Sequence, residues 1–139
     1  MQYGEIIAEL NLLSKNYAKK LKKSLEKEGL KILYCRLLSA LSEEDGGTQL
    51  SLVERTGIKA PTVSIMLRKM EKLGLVSRKV DDYDLRKTHV ILTDAGRAAD
   101  AAAKESIKRI QQETFASLSD EQMSTFCGIL NVISDNLKE

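Results

Sequence analysis

Residues 48–79 read TQLSLVERTGIKAPTVSIMLRKMEKLGLVSRK, and the punctuation of this stretch decides the fold. Thr48 stands where a helix N-cap accepts a backbone N–H. Gly57 stands where a left-handed residue stops a helix, so a short helix is predicted over 49–56. A second helix is predicted from Ala60, with Pro61 in its first turn, where a missing N–H costs nothing. Val63, Leu67 and Met70 recur at helical spacing and are read as the inward stripe, with Leu73 completing it. The opposite face then carries Ala60, Thr62, Ser64, Ile65, Arg68, Lys69 and Lys72, and Gly74 ends the helix.

Two strand-like runs follow, 75–80 and 88–93, separated by the polar tip Asp81-Asp82-Tyr83-Asp84-Leu85-Arg86-Lys87, the pattern of a hairpin. Upstream, Ile6, Leu10, Leu13, Tyr17, Leu21 and Leu25 share one stripe of a long helix over 4–28 that Gly29 ends. Another helix is read over 30–42, and the segment from Glu43 to Gly47, with Asp45 at its centre, as a polar loop. Downstream, Thr93 caps an Ala-rich helix over 94–116. Ser119 with Gln122 forms a capping box for a last helix, on which Met123, Phe126, Leu130, Ile133 and Leu137 step by three and four.

The 139 residues are 42% hydrophobic, 30% charged and 4% aromatic, with one Pro, enough for an aliphatic core built from long helices. No apolar run approaches the roughly 20 residues of a membrane span. The start, MQYGEIIAEL, is acidic where a secretory signal would be basic. Cys35 and Cys127 lie far apart without a CxxC pair, which points to a reducing cytoplasm. One histidine, His89, supplies neither a metal set nor a catalytic triad, and no GxxxxGK[ST], HExxH or GxSxG is present. The expectation is therefore no enzyme, no cofactor and no metal. The net charge of +2 is uneven: residues 59–89 hold eight Lys or Arg against four acids, an asymmetry that points to a polyanion.

Helix, turn, helix and basic hairpin is the order of a winged helix-turn-helix. The fold class expected is mainly α with a small β-wing, flanked by N- and C-terminal dimerisation helices. A major groove about 12 Å wide admits one helix that carries small hydrogen-bonding residues at its start and cations further along. Thr62, Ser64 and Arg68 fit that need as base readers. Arg86 is long enough to enter a narrow minor groove, and Lys72, Lys79 and Lys87 are placed for phosphates.

With these residues in place the sequence resembles the MarR (multiple antibiotic resistance regulator) family of transcription factors. The likeness rests on residues 48–79, on DLRKTHVILTDAG over 84–96 with its D-x-R, L-T and G spacing, and on the helical frame. The resemblance implies a single domain over 1–139, with the helix-turn-helix at about 48–74, the wing at about 75–93 and dimerisation helices at about 4–28 and 94–138. It implies a homodimer on an inverted repeat of double-stranded DNA, usually a repressor, released by a small aromatic or phenolic ligand or by an oxidant. By position Arg86 matches the wing-tip arginine, and Thr62, Ser64 and Arg68 match the recognition-helix readers. Asp84 matches the acid that buttresses cations in the wing, with Arg78 as further support. Lys59, Ala60, Pro61, Ile65, Lys69, Lys72 and Lys87 complete the expected DNA surface.

Two positions depart from the family pattern. Lys59 replaces the usual Ser or Asp cap, and Tyr34 stands beside Cys35 where a Gln is common. Tyr17, Tyr34 and Cys35 form the candidate effector or redox region, whereas Cys127 is read as packing and His89 as an exposed strand residue. The competing reading is a winged-helix module for protein interaction or DNA architecture, without sequence-specific DNA binding. The apolar stripes at both ends exceed what a small winged lobe can cover, which favours a core shared between subunits.

Overall fold

The computed structural model describes residues 2–44 and 46–139. The element order is α1 (Tyr3–Lys27), α2 (Ile32–Glu43), β1 (Gly47–Thr48), α3 (Gln49–Thr56), α4 (Ala60–Lys72), β2 (Val76–Val80), β3 (Thr88–Leu92), α5 (Asp94–Thr114) and α6 (Asp120–Asn136). The architecture is mainly helical, with one antiparallel sheet in the order β1-β3-β2.

The short helices end where their chemistry requires. Thr48 Oγ1 accepts the Ser51 N–H at 3.1 Å, and Gly57 closes α3 at φ +70°. Thr93 Oγ1 accepts the Gly96 N–H at 3.0 Å to open α5, and the Ser119–Gln122 capping box opens α6. The core gathers Leu25 of α1, Leu37, Leu38 and Leu41 of α2, Leu52 of α3, Val63, Leu67 and Met70 of α4, and Val90 of β3. Two arginines of α2 and α3 tie those helices together: Arg36 donates to the Thr56 carbonyl and Arg55 to the Ala40 carbonyl.

Several sequence expectations are corrected. The second helix begins at Ile32 rather than at residue 30, because Leu30 N–H is taken by the Leu25 carbonyl at 3.0 Å in closing α1. Of the predicted loop after it, Glu43 belongs to α2 and Gly47 to β1, whereas Asp45 lies outside the described residues. The two-residue β1 was not anticipated; it pairs Gly47 with Val90 and Thr48 with His89. Leu73 does not complete the α4 stripe. It is the C-cap residue, beyond the last helical turn, and is 58% exposed. The Ala-rich helix stops at Thr114 instead of residue 116. Cys127, expected to pack, is exposed in the single chain.

The wing is fastened to α5 by a close backbone approach. Thr93 Oγ1 donates to the Gly74 carbonyl at 2.5 Å, and its N–H donates to the Leu75 carbonyl at 3.1 Å. Gly96 lies against that same carbonyl: a Cβ there would stand 2.0 Å from the Leu75 oxygen. Gly96→Ala must therefore displace backbone, and we expect a loss of about 1–3 kcal/mol in urea unfolding. An unchanged midpoint would contradict the packing described.

Candidate nucleic-acid interface

The buried stripe of α4 fixes what faces outward. With Val63, Leu67 and Met70 inaccessible, Ala60, Pro61, Ile65, Arg68, Lys69 and Lys72 are exposed, and Thr62 and Ser64 are half-buried on its flanks. Arg68 Nη2 reaches Ser64 Oγ at 3.4 Å, so these two predicted base readers are neighbours one turn apart. Lys59 is the N-cap and makes no side-chain capping bond, which leaves the first-turn N–H groups open beside a cation.

The wing is held against α4 by a pair that sequence reasoning missed. Arg78 of β2 donates from Nε and Nη2 to the two carboxylate oxygens of Glu71 at 3.2 and 3.3 Å. Arg78 thus supports the wing from α4 and not through Asp84. Asp84 instead accepts the backbone N–H of Arg86 at 3.0 Å and its Nε at 3.4 Å, leaving the Arg86 side chain 93% exposed at the tip. Lys87 is exposed beside it, and Lys79 lies 3.9 Å from Asp82.

Asp81 organises the turn itself. Its Oδ1 accepts the N–H groups of Tyr83 at 2.8 Å and Asp84 at 3.1 Å, and its Oδ2 lies 2.8 Å from His89 Nε2. An Asp opening a polar tip is the signature of such a side-chain turn, a signal present in the sequence. His89, expected to be an exposed strand residue, is instead partly exposed and bonded to this carboxylate. The His89 contact first, and then the two amides, hold the Asp81 carboxyl down at about 2.

The candidate effector residues are not brought together. Tyr34 is buried, with Lys31 Nζ 5.9 Å from its ring centre. Tyr17 lines a surface groove with Leu13, Lys20 and Thr114. Cys35 alone borders a cleft of about 460 Å³ between α1, α2, α3 and α5, together with Leu21, Leu25, Ile32, Arg36 and Ile107. Burial, and secondarily the charge of Asp100, pushes the Cys35 thiol up to about 11, opposite to what a sensing thiolate needs. Among the described residues there is no cluster of His, Cys, Asp and Glu fit for a metal. No helix among them is long and apolar enough to cross a membrane.

Comparison with known proteins bears on the same elements. A family model described as MarR family matches residues 28–87. Transcriptional regulator HosA of Escherichia coli is 32% identical over 90 residues, covering 65% of this chain and 67% of HosA. The chain belongs to the MarR family. An uncharacterized HTH-type transcriptional regulator of Bacillus subtilis, YdgJ, is 31% identical over 101 residues. That match covers 73% of this chain and spans 62% of YdgJ's length. Among solved structures, a mutant of E. coli MarR complexed with operator DNA shares the fold at a TM-score of 0.75 and 18% identity, covering 96% of this chain and 98% of the other.

Because the folded pKa of Asp81 is depressed, its bonds stabilise the tip above the ordinary carboxylate range and are lost as pH falls through about 2. In an amide NMR titration, the Tyr83 and Asp84 N–H signals should therefore stay where they are between pH 5 and pH 4 and lose their bonded positions near pH 2. Loss of both by pH 4 would contradict the geometry.

Proposed function

We propose that this MarR-family chain is a homodimeric, sequence-specific DNA-binding repressor that binds an inverted repeat and is released by a small ligand. The observation that carries the reading is the orientation of α4. Its one buried stripe leaves Thr62, Ser64 and Arg68 facing outward, and the Glu71–Arg78 pair sets the Arg86 wing beside them. Thr62, Ser64 and Arg68 read base edges from the major groove, with Ala60, Pro61 and Ile65 in apolar contact. Arg86 enters the minor groove, and Lys59, Lys69, Lys72 and Lys87 hold phosphates. The DNA complex of the E. coli MarR mutant, whose fold this chain shares, supports a duplex as the partner.

The apolar, uncovered α6 supports the homodimer. This helix of 17 residues buries none of them in the single chain, and Phe126, Ile129, Leu130, Val132 and Ile133 are exposed. Ile6, Ile7, Leu12 and Leu13 at the start of α1 are exposed as well. Apolar surface of this extent marks an interface. A twofold dimer would present two α4 helices, matching an inverted repeat. The cleft bordered by Cys35 lies within the usual range of small-molecule sites and touches both α1 with α5 and α2 with α3. A small aromatic or phenolic ligand wedged there would change the angle between the dimer layer and the DNA lobe. The thiol chemistry of Cys35 does not favour an oxidant as the trigger.

The test is binding to the duplex upstream of the coding region against a scrambled duplex, with the oligomeric state followed by sedimentation. A dimer that prefers the native duplex is expected. Arg68→Ala should cost about 1–3 kcal/mol on that duplex alone, whereas Lys72→Ala should weaken both duplexes alike and flatten the salt dependence. A monomer at micromolar concentration, or equal binding to both duplexes, would overturn the reading.

A further inference from the structure

The wing has a charge balance that is unusual for a surface meant to meet phosphate. Residues 79–89 hold three cations, Lys79, Arg86 and Lys87, against three carboxylates, Asp81, Asp82 and Asp84. With neutral imidazole this outer part of the wing carries no net charge, Arg78 at its root being paired with Glu71 of α4. The side chain there of the type that ordinarily changes charge near neutral pH is His89, the single histidine of the chain.

His89 is also connected to the wing tip by a continuous set of hydrogen bonds. Its Nε2 lies 2.8 Å from Asp81 Oδ2, and Asp81 Oδ1 accepts the Tyr83 and Asp84 amides. Asp84 Oδ1 in turn accepts the N–H and Nε of Arg86. The loop is closed from the other side by Asp81 N–H donating to the Lys87 carbonyl and Lys87 N–H donating to the Asp84 carbonyl, both at 2.9 Å. An ionised carboxylate only accepts, so the proton of neutral imidazole sits on Nε2 and a second proton would enter at Nδ1. That second proton makes the His89–Asp81 hydrogen bond an ion pair as well, with both donor and acceptor charged.

The charged and titratable groups around His89 are few. Lys79 is its register partner on β2, and Asp81 faces it at 2.8 Å. Thr48, its partner on β1, is uncharged. Asp82 and the Tyr83 phenol border the same open cleft of about 330 Å³. The His89 side chain is 42% exposed, so protons from bulk water reach it.

We propose that His89 is a positioning residue and a pH-sensitive element of the wing: its protonation makes the outer wing, residues 79–89, net positive, tightens the Asp81-organised turn behind Arg86, and strengthens the grip on duplex DNA. The consequence for DNA rests on the function proposed above. Imidazole is the side chain whose charge ordinarily changes between pH 5 and 8, the range in which a cell's acidification is felt. One added charge close to the phosphates changes affinity by roughly three- to tenfold at moderate salt.

Two measurements on the full-length protein decide it. In the first, wild type and His89→Gln, which keeps a donor for Asp81 but does not titrate, are compared on the upstream duplex at pH 8 and pH 6. Wild type should bind roughly three- to tenfold more tightly at pH 6, and His89→Gln should be flat and close to the wild-type value at pH 8. Equal pH slopes in the two proteins, or no slope in wild type, would overturn the proposal. So would a variant weakened at both pH values with the slope retained, the mark of a merely structural role.

The second measurement needs no DNA. The Tyr83, Asp84 and Arg86 amide signals should move together with the imidazole signals between pH 8 and 5.5 in wild type and stay still in His89→Gln. Stationary amides in wild type would overturn the coupling whatever the duplex results. Moving amides in a protein that prefers no duplex would uphold the coupling and place the failure in the DNA reading.

Discussion

The burial of one stripe of one helix orders the rest of this structure. Val63, Leu67 and Met70 are fully inaccessible, closed over by Leu52 of α3 and the leucines of α2. A helix that buries residues at this spacing has no freedom to rotate, because a turn of about 100° would exchange an aliphatic side chain for a lysine or arginine. Everything α4 offers to solvent follows from that constraint: the half-buried hydroxyls of Thr62 and Ser64, the guanidinium of Arg68, and the ammonium groups of Lys69 and Lys72. The outer face is thus determined by the inner one. Its chemistry is then free to suit a polyanion.

The wing obeys a different logic. A seven-residue tip has almost no core, so its shape is held by polar contacts instead. Asp81 and Asp84 each fold the chain over their own side chains, Glu71 anchors Arg78 from α4, and the Thr93–Gly74 and Gly96–Leu75 contacts fix the root of the hairpin. Carboxylates in a cationic wing weaken its attraction for phosphate, yet they hold the long side chain of Arg86 ready with less conformational entropy left to lose. The outer wing, residues 79–89, accordingly carries as many acids as bases. One imidazole is therefore enough to shift its charge.

The sequence made the helices and their caps legible because each is encoded locally. Thr48, Gly57, Thr93 and the Ser119–Gln122 box stand where the structure uses them, and two strand-like runs on either side of a polar tip located both wing strands. The two-residue β1 was not legible, since a strand that short has no period of its own and exists only by pairing with β3. Leu73 misled because the stripe was continued one step past the helix end. Within the site, the outward face of α4 followed from periodicity, and the family resemblance pointed to Asp84 as an acid beside wing cations without naming Arg86 as its partner. Glu71 and His89 followed from neither, because their partners lie on other elements or across the hairpin. Tyr17, Tyr34 and Cys35 were grouped by proximity in a pattern, but burial separates them: one tyrosine is enclosed, the other lines a surface groove, and the thiol faces a cleft.

Which surface meets the duplex is tested most directly by lysine-reactivity footprinting. The protein is acetylated with a limiting reagent, free and saturated with a tight-binding duplex, and the modification of each lysine is quantified by mass spectrometry. Lys59, Lys69, Lys72 and Lys87 should become protected, while Lys15, Lys19 and Lys22 on α1, exposed in the free chain, keep their reactivity. Protection confined to the α1 lysines, with those of α4 and the wing unchanged, would contradict the account at its centre.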